Sequence, residues 1–311
     1  MTYDATTFSL TYTVNGTTYN LSGLDTNTGI TFNYTGRDGF GLPPISRITK
    51  RGTQQNGDTN VDYRIDARTL SVYLFVECFN YVDYLRICEK IGLIFRIGND
   101  AGVLTVAYTS TSGGITTSYS RSIDCYVDGG LEFSEQDYED YNISTSVRFR
   151  ASDPMWYDST PVVLSVSQSS TGTPTPIPLI IPMTMGGSAI ARTTNIAYIG
   201  TAVEYPIIRI VAGATDLTGL VITNTSTGKS LVFGTLSASR TYTIDLTYGY
   251  KTMVNDLGVN CIGLLSTSSN LMTWGIDPNV NGGINTITVS SSSSSSTTSI
   301  ILTYYNRYAA I

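Results

Sequence analysis

At mid-chain an alternating segment, Ile143 to Arg150, runs into Ala151-Ser152-Asp153-Pro154-Met155-Trp156-Tyr157, and this junction constrains the fold more than any other stretch. Proline cannot donate to a sheet ladder and holds the preceding Asp153 extended, so strand pairing is interrupted there. Trp156 and Tyr157 follow at once, each with a large area to bury against a neighbouring surface. A second series of strand-like segments begins only beyond them. The chain is therefore read as two β domains, residues 1–158 and 159–311, joined at a seam of Asp153, Pro154, Trp156 and Tyr157. An ordinary loop whose tryptophan fills a local gap is the alternative reading of the motif.

The 311 residues are enough for two such domains, each with its own core. Thr, Ser, Gly and Tyr are abundant, whereas the strong helix formers Glu, Lys and Ala are sparse, which favours pleated, half-buried surfaces. Phe8, Leu10, Tyr12 and Val14 alternate with polar residues up to Asn15-Gly16, and Thr17, Tyr19 and Leu21 resume the pattern: a hairpin on a type I′ turn. The Gly- and Pro-rich stretch Gly36 to Pro44, then Ile45 to Arg51 and Gly52 to Gly57, predicts a long excursion. Asp62 to Glu77 reads as one long strand interrupted near Ala67. One helix is predicted, with Asn80 as its N-cap, Val82, Leu85, Cys88 and Ile91 as its apolar stripe and Gly92 as its stop. Gly102 to Thr109, Thr116 to Tyr126 and Ile143 to Arg150 complete the first half, the Gly113-Gly114 turn separating the first two.

Beyond the seam, Val162 to Val166 is strand-like, and the spaced prolines 174, 176, 178 and 182 predict an extended or edge-lying linker. Short strands then recur at Ile207 to Val211, Leu220 to Asn224, Ser230 to Phe233, Tyr242 to Leu246, Asn285 to Val289 and Ser299 to Tyr305. That spacing is typical of a sandwich or jelly roll. The serine tract Ser290 to Ser296 reads as the flexible tip of a final hairpin. The fold class is thus all-β with one short helix.

Charge and residue chemistry exclude more than they assign. Residues 1–158 hold twelve of the 18 basic and 19 of the 24 acidic side chains, a balance of −7, against +1 for the remainder. Neither half has the basic excess of a nucleic-acid binder, and sequence-specific nucleic acid is not an expected partner. The chain contains no histidine, so Ser-His-Asp and Cys-His mechanisms and imidazole metal sites are excluded. Cys78, Cys88, Cys125 and Cys261 lack metal or redox spacing and are expected as reduced, buried thiols. Met1 to Leu10 shows no secretory pattern, and no run reaches the roughly 20 apolar residues needed to span a bilayer, so neither secretion nor membrane insertion is expected.

The order of features resembles the distal tail proteins of long-tailed (siphovirus) bacteriophages. The resemblance rests on Gly41-Leu42-Pro43-Pro44 followed by Arg51-Gly52 and Gly57, on Asp66-Ala67-Arg68 leading a strand, on the helix, and on Arg148 to Tyr157. In the second half it rests on Thr223 to Gly228, Thr243 to Leu246, Trp274 to Pro278, Gly282 to Asn285 and Leu302 to Tyr308. An Asp277-Pro278-Asn279 turn departs from the family, which moves more directly into its final strands. The resemblance implies an N-terminal ring-forming β domain, usually hexameric, followed by a galectin-like β-sandwich. It also implies a structural virion protein, made in the bacterial host cytoplasm, without cofactor or catalysis. Its partners would be further copies of itself, the tail tube protein, the tail-tip or baseplate hub protein and the tape-measure protein, around a channel for DNA. Asp128, Glu132, Glu135, Asp137, Glu139 and Asp140 are the candidate lining of an acidic lumen, which would not trap phosphates. A solvated loop is the plainer reading of the same charges.

Two rival classes stand beside this. A carbohydrate-binding module or adhesin could stack sugars on Trp274, Tyr248 and Tyr250, which requires those rings to be exposed. A glycosidase needs only two carboxylates, and Glu132 with Glu135 or Asp124 with Asp128 are the candidates. In an extended strand Asp124 and Asp128 lie about 13 Å apart and Glu132 and Glu135 about 10 Å, both beyond the working separation. Calcium at Asp137, Glu139 and Asp140 lacks a loop signature.

Overall fold

The computed structural model describes residues 6–96, 98, 100–112, 115–133, 141–167, 189–295 and 297–311. Two compact units divide the chain: Met1–Ser159 together with Tyr308–Ile311, and Thr160–Arg307.

The first unit begins with β1 (Thr6–Val14) and β2 (Thr17–Asn20), joined by Asn15 and Gly16 at φ 51° and 75°. These are the two positive-φ positions that a type I′ turn demands. Then follow β3 (Leu24–Asp25), β4 (Ile30–Thr31), β5 (Asn33–Asp38), β6 (Ile45–Lys50), β7 (Thr59–Ile65), β8 (Arg68–Glu77), α1 (Tyr81–Ile94), β9 (Gly102–Ser112), β10 (Ile115–Gly129), β11 (Asn142–Ala151) and β12 (Trp156–Asp158). The main sheet has the order β2-β1-β9-β10-β11-β8-β5, with β12 against β10. Its middle strand, β10, pairs with β9 from Ile115 to Cys125 and with β11 from Tyr126 onward, so one strand continues both halves. The predicted Asp62–Glu77 strand is in fact two strands of different sheets, β7 and β8, separated at Asp66 and Ala67.

Period-two alternation writes the buried face: Leu70, Val72, Leu74 and Val76 of β8 and Ile143, Val147, Phe149 and Ala151 of β11 enter one core with Leu10, Tyr12 and Val14. Tyr12 packs 5.1 Å from Phe149 and 5.7 Å from Phe95, ring to ring. Its ring also presses on Gly102, where an added Cβ would stand 2.5 Å away.

The helix carries its predicted cap: the Asn80 side chain accepts the Asp83 backbone N–H at 2.9 Å, a contact worth about 1 kcal/mol. Half of its predicted stripe holds, with Ile91 buried and Cys88 packed against the core, while Val82, Leu85 and the predicted stop are corrected. Tyr84, Ile87, Ile91 and Ile94 enter the core, whereas Val82 and Leu85 face outward. Gly92 lies inside the helix, which Phe95 closes.

The second unit contains β13 (Val162–Ser167), β14 (Ala191–Ala197), β15 (Ile207–Val211), β16 (Val221–Asn224), β17 (Lys229–Val232), β18 (Thr241–Asp245), β19 (Thr252–Asn255), β20 (Ile284–Ser290) and β21 (Ser299–Tyr304); β22 (Arg307–Tyr308) ends the series. Two antiparallel sheets, β13-β21-β15-β18-β19 and β14-β20-β16-β17, enclose a second core that includes Ile208, Ile222, Ile244, Trp274, Ile287 and Leu302. The four spaced prolines and Gly113-Gly114 lie outside the described residues.

The serine tract is not the tip of a hairpin. Strands β20 and β21 belong to opposite sheets, and the tract between them is a hydrogen-bonded crossover. Ser291 Oγ accepts the Ile190 N–H at 3.1 Å, Ser293 Oγ donates to Asp216 O at 3.1 Å, and Thr298 Oγ1 donates to Ala212 O at 2.8 Å. Gly213 and Gly219, both at positive φ, leave no room for a Cβ beside Ser295 and Ser292.

Candidate assembly site

The hairpin β6–β7 stands apart from both cores. Every residue of both strands is exposed, and among the described residues β6 and β7 pair only with each other. Its base is closed by the Asp66 N–H on Pro44 O at 2.9 Å and by Ser46 Oγ on Asp66. Register places Ile45 opposite Ile65 and Arg47 opposite Tyr63. The hairpin therefore presents Ile45, Val61, Tyr63 and Ile65 to solvent, with Val61 and Tyr63 59 % and 56 % exposed. An isolated two-stranded hairpin is marginal in water, and free strand edges beside apolar side chains invite pairing with another chain.

A second uncovered apolar surface lies on α1. Phe79, Val82, Leu85 and Leu93 are exposed, Phe79 at 91 %. Asp83 fixes the start of this face: its carboxylate accepts the Phe79 N–H and pairs with Arg86 at 2.6 Å. The Phe79 N–H first, and then Arg86, hold that carboxyl below its ordinary range.

The residues expected at the seam all fall within the first unit. Asp153 Oδ1 accepts the Met155 N–H at 3.2 Å, Pro154 is buried, and Tyr157 donates its hydroxyl to Asp124 at 2.6 Å. Trp156 is fully buried, its ring 5.2 Å from that of Phe40. Arg68, 1 % exposed, has its guanidinium 5.8 Å from the Trp156 ring centre. It donates to Gly41 O at 2.8 Å, Gly39 O at 3.3 Å and Ala309 O at 2.5 Å. Three backbone carbonyls thus hold the two terminal nitrogens of a buried cation that has no ion-pair carboxylate among the described residues, its Nε is buried without a partner, and burial lowers its pKa to about 10. Sequence reasoning placed Arg68 in a motif but assigned it no role, because carbonyl acceptors leave no trace in side-chain identities. Next to this clamp, Arg121 pairs with Asp158 and lies 3.8 Å over the Tyr308 ring.

Of the acidic stretch, Asp128 is exposed and pairs with Arg148 at 3.6 Å. Glu132, also exposed, lines an open polar depression of about 340 Å³ with Thr35, Tyr73, Ser144 and Ser146. Glu135, Asp137, Glu139 and Asp140 lie outside the described residues, as therefore do the Glu132–Glu135 pair and the calcium set. In the other carboxylate pair, Asp124 is engaged by Tyr157 and Asp128 by Arg148, on separate partners.

Among the sugar-stacking candidates, Trp274 is fully buried and drops out, while Tyr248 and Tyr250 are 71 % and 69 % exposed. The cysteines are free: Cys125 is buried and the other three half-buried. Burial pushes the Cys78 thiol up to about 11 and Cys125 to about 12, away from nucleophilic character.

Motif residues of the second half meet in one buried node. Asn224 Nδ2 donates to Asn285 Oδ1 and to Gly275 O, both at 2.9 Å. Asn285 Nδ2 in turn donates to Asp277 O at 2.9 Å, tying the Trp274–Pro278 segment to β16 and β20.

No protein-family model and no curated protein matches this chain. Solved structures do. The SPP1 Dit (gp 19.1) protein, described as a paradigm of the hub adsorption apparatus in phages infecting Gram-positive hosts, aligns with a TM-score of 0.60 and 16 % identity, covering 96 % of this chain and 98 % of that one. Chains of the phage P2 baseplate in its activated conformation, with Ca and with Sr, align over the same shares at 9 % identity and TM-scores of 0.41 and 0.43. The chain has the all-β fold of SPP1 Dit.

Proposed function

We propose that this chain is a structural protein of a bacteriophage tail, placed at the distal end, where copies of it assemble into a ring. The likeness in fold to SPP1 Dit across nearly the whole chain carries the reading. The first unit supports it independently. A closed ring is built from a heterologous contact, which needs two different uncovered surfaces on each copy. The β6–β7 hairpin and the outer face of α1 supply two.

In this reading the ring has six copies and joins the tail tube to the tip or baseplate proteins. The second unit, a galectin-like sandwich, lies outside the ring. Asp128 and Glu132, exposed on the first unit, face a channel through which DNA and the tape-measure protein pass, and their charge keeps phosphates from adhering. The protein acts as a connector, without catalysis.

The mass of the native particle tests the proposal. The chain weighs 33.6 kDa, and the purified protein is expected at a ring multiple of that mass. Tyr63→Lys with Ile65→Lys, at positions already exposed in the single chain, should leave circular dichroism unchanged and return the particle to monomer. A wild-type protein that stays monomeric at every concentration tested overturns the ring.

A further inference from the structure

We infer that the turn between β18 and β19 is a binding platform for a neutral glycan, formed by Tyr248 and Tyr250. Both rings stand in solvent, and neither hydroxyl makes a hydrogen bond among the described residues. They are two positions apart with Gly249 between them, a spacing of at most about 7 Å along the chain.

The turn that presents them is held rigidly. Asp245 Oδ1 accepts the Thr247 N–H at 2.8 Å and the Thr247 hydroxyl at 2.5 Å, and the Tyr250 N–H closes on Thr247 O at 3.2 Å. Gly249 and Lys251 both take positive φ, 90° and 48°, and the second is strained for a side chain with a Cβ. Lys251 holds that geometry: its Nζ donates to Leu246 O at 2.6 Å and sits 3.7 Å from the Tyr205 ring centre. The two exposed rings are therefore presented on a locked backbone, which removes most of the ordering cost of binding.

The size and charge of the surface identify the occupant. Two tyrosines separated by a glycine offer far less than the roughly 800 Å² per partner of a stable protein interface. A ring face edged by a hydroxyl suits a flat ligand that is apolar on one side and hydroxylated at its rim, the character of a pyranose. Lys251, the one cation within the turn itself, is committed to Leu246 O and Tyr205, and Arg307 is paired with Glu204 at 3.6 Å, so the turn offers no free cation to recruit an anionic sugar. Neutral hexose polymers fit.

Affinity electrophoresis of the intact chain tests this, in gels cast with hydroxyethyl cellulose, dextran, amylopectin or galactomannan. At least one polymer should retard the wild-type protein, equally at low and high salt. Tyr248→Ala with Tyr250→Ala should weaken the retardation about tenfold, without change in thermal melting, whereas Phe at both positions should keep most of it. If no polymer retards the wild type, or the Ala pair is retarded equally, the platform is refuted. Loss of particle mass in the Ala pair with retardation unchanged would also refute it, and would assign the tyrosines to a protein contact.

Discussion

Replacing Arg68 tests how the motifs of the first unit act together. Its guanidinium donates three hydrogen bonds, two to the carbonyls of Gly39 and Gly41 in one loop and one to that of Ala309 near the end of the chain, beside the buried Trp156. A hydrogen bond from a charged donor contributes about 1.5–3 kcal/mol, but desolvating the cation costs several kcal/mol. Arg68→Met keeps the packing stem and removes the donors, so a net loss of about 2–3 kcal/mol is expected. Arg68→Ala should lose about 1–2 kcal/mol more, from the void left beside Trp156. Lysine should not rescue, since one ammonium cannot reach three diverging carbonyls and ionises poorly when buried. The chain has two tryptophans, one in each unit's core. In a Trp274→Phe background, tryptophan fluorescence during urea unfolding therefore reports the first unit alone. A loss of 2–3 kcal/mol in a unit of this size lowers its Tm by about 5–10 °C. Arg68→Met within about 0.5 kcal/mol of its parent, or full stability in Arg68→Lys, would refute the clamp.

Two further outcomes are expected. Burial, the largest cause, holds the Lys251 ammonium down at about 8 from an ordinary 10.5, so between those values the unfolded chain binds more protons and stability rises with pH. Lys251→Met should flatten that rise between about pH 8 and 9.5 in thermal melts referenced to wild type, and an unchanged slope would show that Lys251 titrates normally. Gly102→Ala should cost about 1–3 kcal/mol by driving a methyl into the Tyr12 ring. Tyr12→Leu should absorb most of that penalty in the double mutant, and strictly additive losses in chemical denaturation would disprove the contact.

What was legible in the sequence followed from local chemistry. Asn15-Gly16 announced its hairpin because few other pairs adopt two positive φ values, and Asn80 announced the helix start. The helix face is right at Cys88 and Ile91 and wrong at Val82 and Leu85, because α1 carries two apolar stripes. Val82, Leu85 and Leu93 are as hydrophobic as Tyr84, Ile87 and Ile94, and only the sheet beneath decides which is buried. Strand β14 escapes the sequence reading because its sequence, ARTTNIA, is mostly exposed and shows no alternation. The serine tract looked mobile by composition, yet its partners, Ala212 to Thr218, lie over 70 residues away and carry no local mark. The assembly surfaces were partly visible. Charge pointed to the first half, but the hairpin was read only as an excursion, since complete exposure on both faces is a property of what is absent around it.

Asp158 and Tyr308 touch through the Tyr308 hydroxyl at 3.3 Å, although 150 residues separate them. The second unit is thus an insertion whose entry and exit share one point on the first. During synthesis the ribosome delivers the whole inserted module before Ala309 reaches Arg68, so the earlier-made unit is the later one to be locked. The same geometry makes residues 160–307 a cassette: recombination at two neighbouring points could exchange it for another module and leave the host core intact.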